Sequence, residues 1–394
     1  MREVEEMERS GKKPKLVFLA NMIEARDIRA PEFLPKFGKC LPLFFWNVIF
    51  FIRALLASKG MGRAFKALPE YNILEKVTGQ HLIIEIPAPL MMGWGIKWLQ
   101  KITIPITRKV IYRAAFYAQD ELKATVLGLG SLVKSITEKG RLIKQQGIHI
   151  PITHGDAYSV ASAFQGVEKM IEEFDIPEKR IGIIGCYGTI GKGLTKLFLS
   201  RGYKVIGMGR KKEALDCFKK KCGNEELEVT TDLKYVVNES GVVITTTSAT
   251  NSLITEAILT KNRRYFIYDV SQPNNLPEKE FTKLINQGYQ IIRVDGGFEV
   301  GPSQLDLGFW LRLPRRIMYA CFVEGVMQAL ENDNRDHVEE VEFGHILKTM
   351  EWAKKWGFSH TPLTCFGEEL SKDYVPQRKT SLTLALSRVC APLT

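Results

Sequence analysis

The chain contains no C-x-x-C pair, no H-E-x-x-H, no G-x-S-x-G and no residues at zinc-ligand spacing. A zinc centre, a serine-hydrolase elbow and a disulfide framework are therefore not expected, and no metal is assigned. The seven cysteines (Cys40, Cys186, Cys217, Cys222, Cys321, Cys365, Cys390) are odd in number and scattered. That pattern suits a reducing compartment. No apolar run reaches the roughly 20 residues of a spanning helix. The longest, Leu41–Ala57, is interrupted by Asn47 and Arg53. The first residues are charged rather than apolar, which argues against a secretory leader. There is no arginine-rich tail, so nucleic acid is not an expected partner. The expected location is cytoplasmic, with a peripheral membrane contact as an addition.

What is present is a globular composition. Of 394 residues, 45% are hydrophobic and 25% charged, which excludes a disordered or fibrous chain and suggests two or three domains. Lys+Arg number 55 and Asp+Glu 44, a net charge of +11. The excess is uneven. From Pro151 onward the two signs balance, so the first 150 residues carry the whole surplus. A one-sided basic region points to an acidic partner, an anionic membrane or a polyphosphate. The same region is the most aromatic. Phe44, Phe45, Trp46, Phe50 and Phe51 lie among Lys36, Lys39, Arg53, Lys59 and Arg63, and Trp94 and Trp98 lie beside Lys97 and Lys101. A core helix, the wall of an apolar channel and a helix in a membrane interface all remain open for Leu41–Ala57.

The middle of the chain has the clearest order. Arg180–Gly185, Lys204–Gly209, Val242–Thr247, Tyr265–Val270 and Gln290–Val294 read as short apolar strands. Helical runs separate them, among them Lys192–Arg201 and Lys212–Cys222. Strands alternating with helices predict a doubly wound parallel sheet. The first strand runs into Gly185-x-x-Gly188-Thr189-Ile190-Gly191, and a helix follows. Glycines there permit a tight turn and bring backbone close to a pyrophosphate at a helix N-terminus. A ligand-free glycine turn is the competing reading, and the strand–loop–helix setting favours a dinucleotide. At the end of the second strand an NAD-binding chain usually places Asp or Glu. Here the residues are Gly209-Arg210-Lys211-Lys212. Arg210 and Lys211 suit a 2′-phosphate, so NADPH is the expected cofactor.

One cysteine is a candidate nucleophile. Cys321 falls in Arg315–Leu330, which reads as a helix following Pro314. Met318, Phe322, Val326 and Leu330 form an i, i+4 stripe expected to pack inward. Cys321 sits beside that stripe, and Gly325 one turn on is expected to leave room next to the sulfur. A core thiol and a nucleophile both remain open from the residues alone. In a helix starting at Arg315, Cys321 lies too deep for the N-terminal dipole, so activation has to be tertiary. Cys186, inside the glycine loop, reads as structural.

Several of these segments together resemble a known family. They are Thr107-Arg108-Lys109-Val110 with Ala118-Gln119, the Gly185–Gly191 loop with Arg210, and Asp295-Gly296-Gly297. The most specific is Ala320-Cys321-Phe322 with Glu324, followed by Trp356-Gly357-Phe358. The chain resembles the long-chain acyl-(acyl-carrier-protein) reductases, which form fatty aldehydes, over roughly residues 80–365. The resemblance implies that Cys321 accepts the acyl group and that NADPH then reduces it. It implies a long-chain acyl substrate carried by acidic acyl carrier protein or as acyl-CoA, with the basic N-terminal domain as the docking place and its aromatic segments as an acyl channel. Thr189 stands where the family has Asp, and the histidine of Thr153-His154-Gly155-Asp156-Ala157-Tyr158 is shifted, so His154 receives no role.

The expected fold is α/β: a Rossmann-type parallel sheet, an additional N-terminal α/β substrate domain and C-terminal helices. The expected division is 1–150 for the substrate domain, 151–175 for a bridging helix and 176–300 for the NADP-binding domain. Residues 301–366 form the helices with the nucleophile, and 367–394 a tail. Two other functions remain. One is an NADP-dependent dehydrogenase of shikimate or glutamyl-tRNA reductase architecture acting on a small polar substrate. The other is a cofactor-binding, membrane-associated protein without catalysis.

Overall fold

The computed structural model describes residues 13–21, 43–249, 251–271, 273–305 and 313–371. Lys36, Lys39, Cys40, Leu41, Pro42 and Cys390 lie outside the described residues, as do the side chains of Phe44, Phe45 and Trp46. The chain forms two compact units. One joins the N-terminal residues through Asp156 to Gly301–Val341 and Trp352–Gly357. The other joins Ala157–Val300 to Glu342–Glu351 and the residues from Phe358 on. The segment after Val300 is thus shared between two units rather than forming a region of its own.

The N-terminal unit is built on a mixed sheet. Its parallel strands are β1 (Lys15–Asn21), β4 (Val77–Ile84), β5 (Val126–Leu129) and β6 (Ile152–Thr153). The short β2 (Phe65–Ala67) and β3 (Tyr71–Ile73) pair antiparallel with β4. The order is β2-β4-β1-β5-β6, with β1 in the centre. A central strand is buried on both faces and reads as an unbroken apolar run. Leu16, Val17 and Leu19 are fully buried accordingly. Side chains alternate across a strand. Val17 and Leu19 join the cluster that holds Val110, Ile111 and Ala114 of α2 (Lys97–Phe116) and Phe50 and Ala54 of α1 (Leu43–Ser58). Leu16 and Phe18 meet the helix Ala320–Leu330.

The second unit has the predicted sheet. Its strands are β7 (Arg180–Ile184), β8 (Lys204–Met208), β9 (Leu227–Thr230), β10 (Val242–Thr245), β11 (Arg264–Asp269) and β12 (Gln290–Asp295). They run parallel in the order β12-β11-β10-β7-β8-β9. This is the doubly wound order in which the direction of progress reverses between β7 and β10. Such a switch point opens a crevice at the carboxyl ends of the two strands.

Among the described residues no helix is long and apolar enough to cross a membrane. The segment Leu43–Ser58 is a helix with one buried face, Phe50, Ala54 and Ala57, as the core reading expected. Its other face is exposed at Val48, Ile49, Ile52 and Leu56.

Candidate functional site

The crevice of the second unit begins with the glycine loop. Gly185 follows β7 with φ +93°, and its carbonyl accepts the N–H of Gly188 at 2.9 Å. Gly188 caps α3 (Thr189–Ser200) in an extended conformation with no side-chain hydrogen bond at the cap, so the first N–H groups of the helix are open to a ligand. A Cβ at Gly191 would lie 2.2 Å from the Gly185 carbonyl oxygen, so only glycine permits the helix to start this close to the strand. The site residues Gly185, Gly188, Thr189, Ile190 and Gly191 therefore form one turn. It has the backbone openness and dipole that a pyrophosphate requires. The residues fit a dinucleotide.

The predicted basic pair stands beside this turn. Tyr187 of the loop packs on Gly209, where a Cβ would fall 2.1 Å from its ring. The Tyr187 hydroxyl accepts the backbone N–H of Arg210 at 3.1 Å and of Lys211 at 3.3 Å. The end of β8 is thereby tied to the loop, with Arg210 and Lys211 exposed next to it. Cys186 is fully buried against Gly207, and burial pushes its thiol up to about 12. It is a thiol packed inside the turn.

The sequence reading overlooked a set of polar residues across the switch point. A Cβ on Gly185 would sit 3.0 Å from Thr246 Oγ1, which places the carboxyl end of β10 against the loop. Thr247 Oγ1 donates to Asn275 Oδ1 at 2.8 Å, and its backbone N–H donates to Ser271 Oγ at 3.0 Å. The run of three threonines ending VVITTT was the available signal.

The N-terminal unit holds the thiol. Arg315–Leu330 is not one helix. Ile317–Tyr319 is extended, Tyr319 caps with φ −72° and ψ 135°, and α4 is Ala320–Leu330. Cys321 is its second residue, so the dipole argument reverses: the thiol lies within the helix's positive end. Phe322 is fully buried, edge-on to Phe18 and stacked on His81, each with ring centres 5.2 Å apart, and this anchors the start of the helix. Gly325 does not leave room for the sulfur; Leu16 occupies that space, 3.1 Å from where its Cβ would be. The residue that abuts Cys321 is Gly155. A Cβ there would lie 2.3 Å from the Cys321 carbonyl oxygen and 2.5 Å from its Cβ.

Charged groups surround this contact. Lys134, from the short helix Ser131–Ile136, donates to Asp156 Oδ1 at 2.5 Å. Burial opposes both charges, and their mutual attraction outweighs it. The ammonium is held well above its usual range and the carboxyl, with His154 beside it, well below. His154 Nδ1 accepts the N–H of Asp156 at 3.2 Å. Thr153 Oγ1 donates to buried Glu324 Oε1 at 2.6 Å and accepts the N–H of Gly155 at 3.0 Å. Burial raises the Cys321 thiol, Asp156 and Glu324 raise it further, and Lys134 with the N–H of Phe322 pulls it down. The loop thus presents a thiol at a helix N-terminus next to a fixed cation. Thr153–Asp156, Lys134 and α4 are far apart in sequence, and for Lys134 the sequence held no signal.

The family described as shikimate/quinate 5-dehydrogenase matches residues 166–295. This part of the chain is an NAD(P)-binding Rossmann domain like that of those dehydrogenases. Among solved structures, the nucleotide-binding domain of glutamyl-tRNA reductase from Thermoplasma volcanium is similar at 20% identity and a TM-score of 0.26. That similarity covers 34% of this chain and 85% of that one. A dipicolinate synthase polypeptide from Bacillus halodurans is similar at 11% identity over 72% of this chain and 90% of that one, with a TM-score of 0.32. No curated protein matches the chain.

Proposed function

We propose that the protein is an NADPH-dependent reductase that takes its substrate as an acyl thioester on Cys321 and releases an aldehyde. The observation that carries this is the placement of Cys321. It lies at the N-terminal end of α4, beside a lysine whose positive charge is fixed by buried Asp156. Burial on balance raises the thiol; Lys134 and the N-terminal end of the helix work against it, and they are the groups suited to stabilise the thiolate that attacks a carbonyl carbon.

Cys321 Sγ bonds to the acyl carbon of R–CO–SR′ while the C–SR′ bond breaks, and the departing thiolate takes up the proton that Cys321 gave up. The Gly185–Gly191 turn would hold the reduced dinucleotide, which would supply a hydride. The acyl oxygen then carries the negative charge, which the Lys134 ammonium is suited to stabilise. Re-forming the C=O bond expels Cys321 as thiolate and frees R–CHO. Arg210 and Lys211 would select the 2′-phosphate of NADPH. The resemblance noted in the sequence supports a long-chain acyl group on acyl carrier protein or coenzyme A.

A second reading draws on the match to the shikimate/quinate family and on the Lys134–Asp156 pair itself. A buried lysine–carboxylate pair suits proton transfer to and from a hydroxyl, so NADP-dependent dehydrogenation of a small polar hydroxy acid competes. One experiment separates the two. The protein is incubated with NADPH and palmitoyl thioesters, and with NADP⁺ and shikimate or quinate, and products are read by mass spectrometry. One acyl mass on Cys321 without NADPH, and aldehyde with it, supports the first reading. Turnover of the hydroxy acids that survives Cys321→Ser refutes it.

A further inference from the structure

The face of the N-terminal unit made by α1, α2 and the turn leading into α2 is used by no step of that chemistry. The two helices pack against each other. Each turns its small or buried residues inward: Phe50, Ala54 and Ala57 of α1, and Thr103, Thr107, Val110 and Ala114 of α2. Many of the outward positions, where a surface helix normally carries charge, are apolar and lie among exposed bases. They are Val48, Ile49, Ile52 and Leu56 on α1, and Trp98, Ile102 and Pro105 on the first turns of α2. Trp98 is 63% exposed, Ile52 49% and Trp94, in the turn before α2, 48%. An apolar stripe of this length on an exposed face marks a contact surface rather than scatter.

Its charge identifies the partner. Residues 43–69 and 86–119, which contain both helices, include nine Lys or Arg and no Asp or Glu. Lys59, Arg63, Lys97, Lys101 and Lys109 among them are exposed. We propose that this face docks on an anionic lipid surface, with the indoles of Trp94 and Trp98 at headgroup level and these bases against lipid phosphates. Tryptophan settles at that depth because one edge of the ring is apolar and the other donates a hydrogen bond. A second copy of the chain would fit the apolar stripe. Glu85 pairs with Arg53 and Glu138 with Arg108, yet the bases remain in excess, so a second copy would set one cationic surface against another, where like charges repel. A lipid surface accepts the aliphatic stripe and the cations together. The helices lie on the surface, since neither is suited to cross.

Flotation of the full chain tests the proposal. Liposomes of phosphatidylcholine with phosphatidylglycerol should carry the protein upward at low salt, liposomes of phosphatidylcholine alone much less, and rising salt should release it. Lys97→Gln with Lys101→Gln should lower the partition coefficient roughly thirtyfold, about fivefold for each charge. The same loss of charge at Lys219 and Lys220, on the exposed helix Lys212–Cys222 of the other unit, should change nothing. Trp98→Glu with Ile102→Glu should abolish flotation; the lysine pair keeps the test valid should that variant not fold. Protein that stays down with anionic vesicles at low salt overturns the proposal. So does a dimer by light scattering that Trp98→Glu dissociates, or capture of an acidic carrier protein by this face, where vesicles are ignored.

Discussion

Gly155→Ala isolates the contact on which the thiol's position depends. Two effects act at this residue. Gly155 has φ +73°, and an L side chain in that region costs about 1–2 kcal/mol. In addition, the new methyl would fall 2.3 to 2.5 Å from the carbonyl oxygen, Cα and Cβ of Cys321. Two of those atoms are backbone, so no rotamer change relieves the clash, and forced overpacking costs about 1–3 kcal/mol. The sum is roughly 2–5 kcal/mol, and the relief must come from moving the start of α4, thiol included. Gly147 supplies the control. Its φ is +93° and nothing lies within 4 Å of its Cβ position, so Gly147→Ala should show the backbone cost alone. The assay is urea unfolding by circular dichroism, together with the alkylation rate of Cys321 mapped by mass spectrometry. Gly155→Ala should lose more stability than Gly147→Ala and should alone change the Cys321 rate. Equal losses in the two variants with an unaltered alkylation rate would refute the packing argument.

Lys134→Met leaves Asp156 buried without its cation, which should cost about 3–5 kcal/mol. The same variant should slow alkylation of Cys321 at fixed pH, because the charge pulling the thiol down is gone; a faster rate would contradict the electrostatics. Glu299 is fully buried, accepts from Tyr158 at 2.8 Å, and is pushed up to about 7 by burial. Its contribution is complete below about pH 4.5 and is lost as pH rises through 7, amounting to about 3 kcal/mol. Unfolding midpoints measured from pH 5 to 8 should therefore fall more steeply in the native protein than in Glu299→Gln; parallel profiles would show that the carboxyl does not titrate in this range. Arg210→Ala should weaken NADPH by about 1.5–3 kcal/mol while leaving NADH nearly unchanged in a fluorescence titration, and an equal loss for both would remove Arg210 from the phosphate site.

The second unit was legible because its signals are local. Strands β7, β8 and β10 begin where their apolar runs begin, and Gly185–Gly191 occupies the turn its spacing required. β9 escaped notice because Leu227 is its only buried residue, as befits an edge strand with little apolar patterning to display. The start of α4 was misplaced for a different reason. Pro314 with an i, i+4 stripe imitates a helix N-terminus, yet Arg316 has φ +64° and Ile317–Tyr319 runs extended, so the stripe member Met318 is buried from a strand. The surroundings of Cys321 were illegible for a third reason. Lys134 meets Asp156 across 22 positions, and Thr153 meets Glu324 across 171. A pairing of that kind has no periodicity for a sequence to carry.

The placement of α4 on the N-terminal sheet has a consequence for biosynthesis. Leu16 and Phe18 of the central strand β1 are covered by Gly325 and Phe322. The ribosome therefore exposes one face of β1 roughly 300 residues before it makes the helix that covers it. Until then the nascent chain holds an unroofed parallel sheet, the sort of surface on which holdase chaperones act. The strands and helices from β7 to β12 are translated within that interval and are contiguous in sequence, and their unit receives its last pieces, Glu342–Glu351 and the residues from Phe358 on, only after α4. Folding around β1 is completed late, and the cysteine arrives with the segment that completes it.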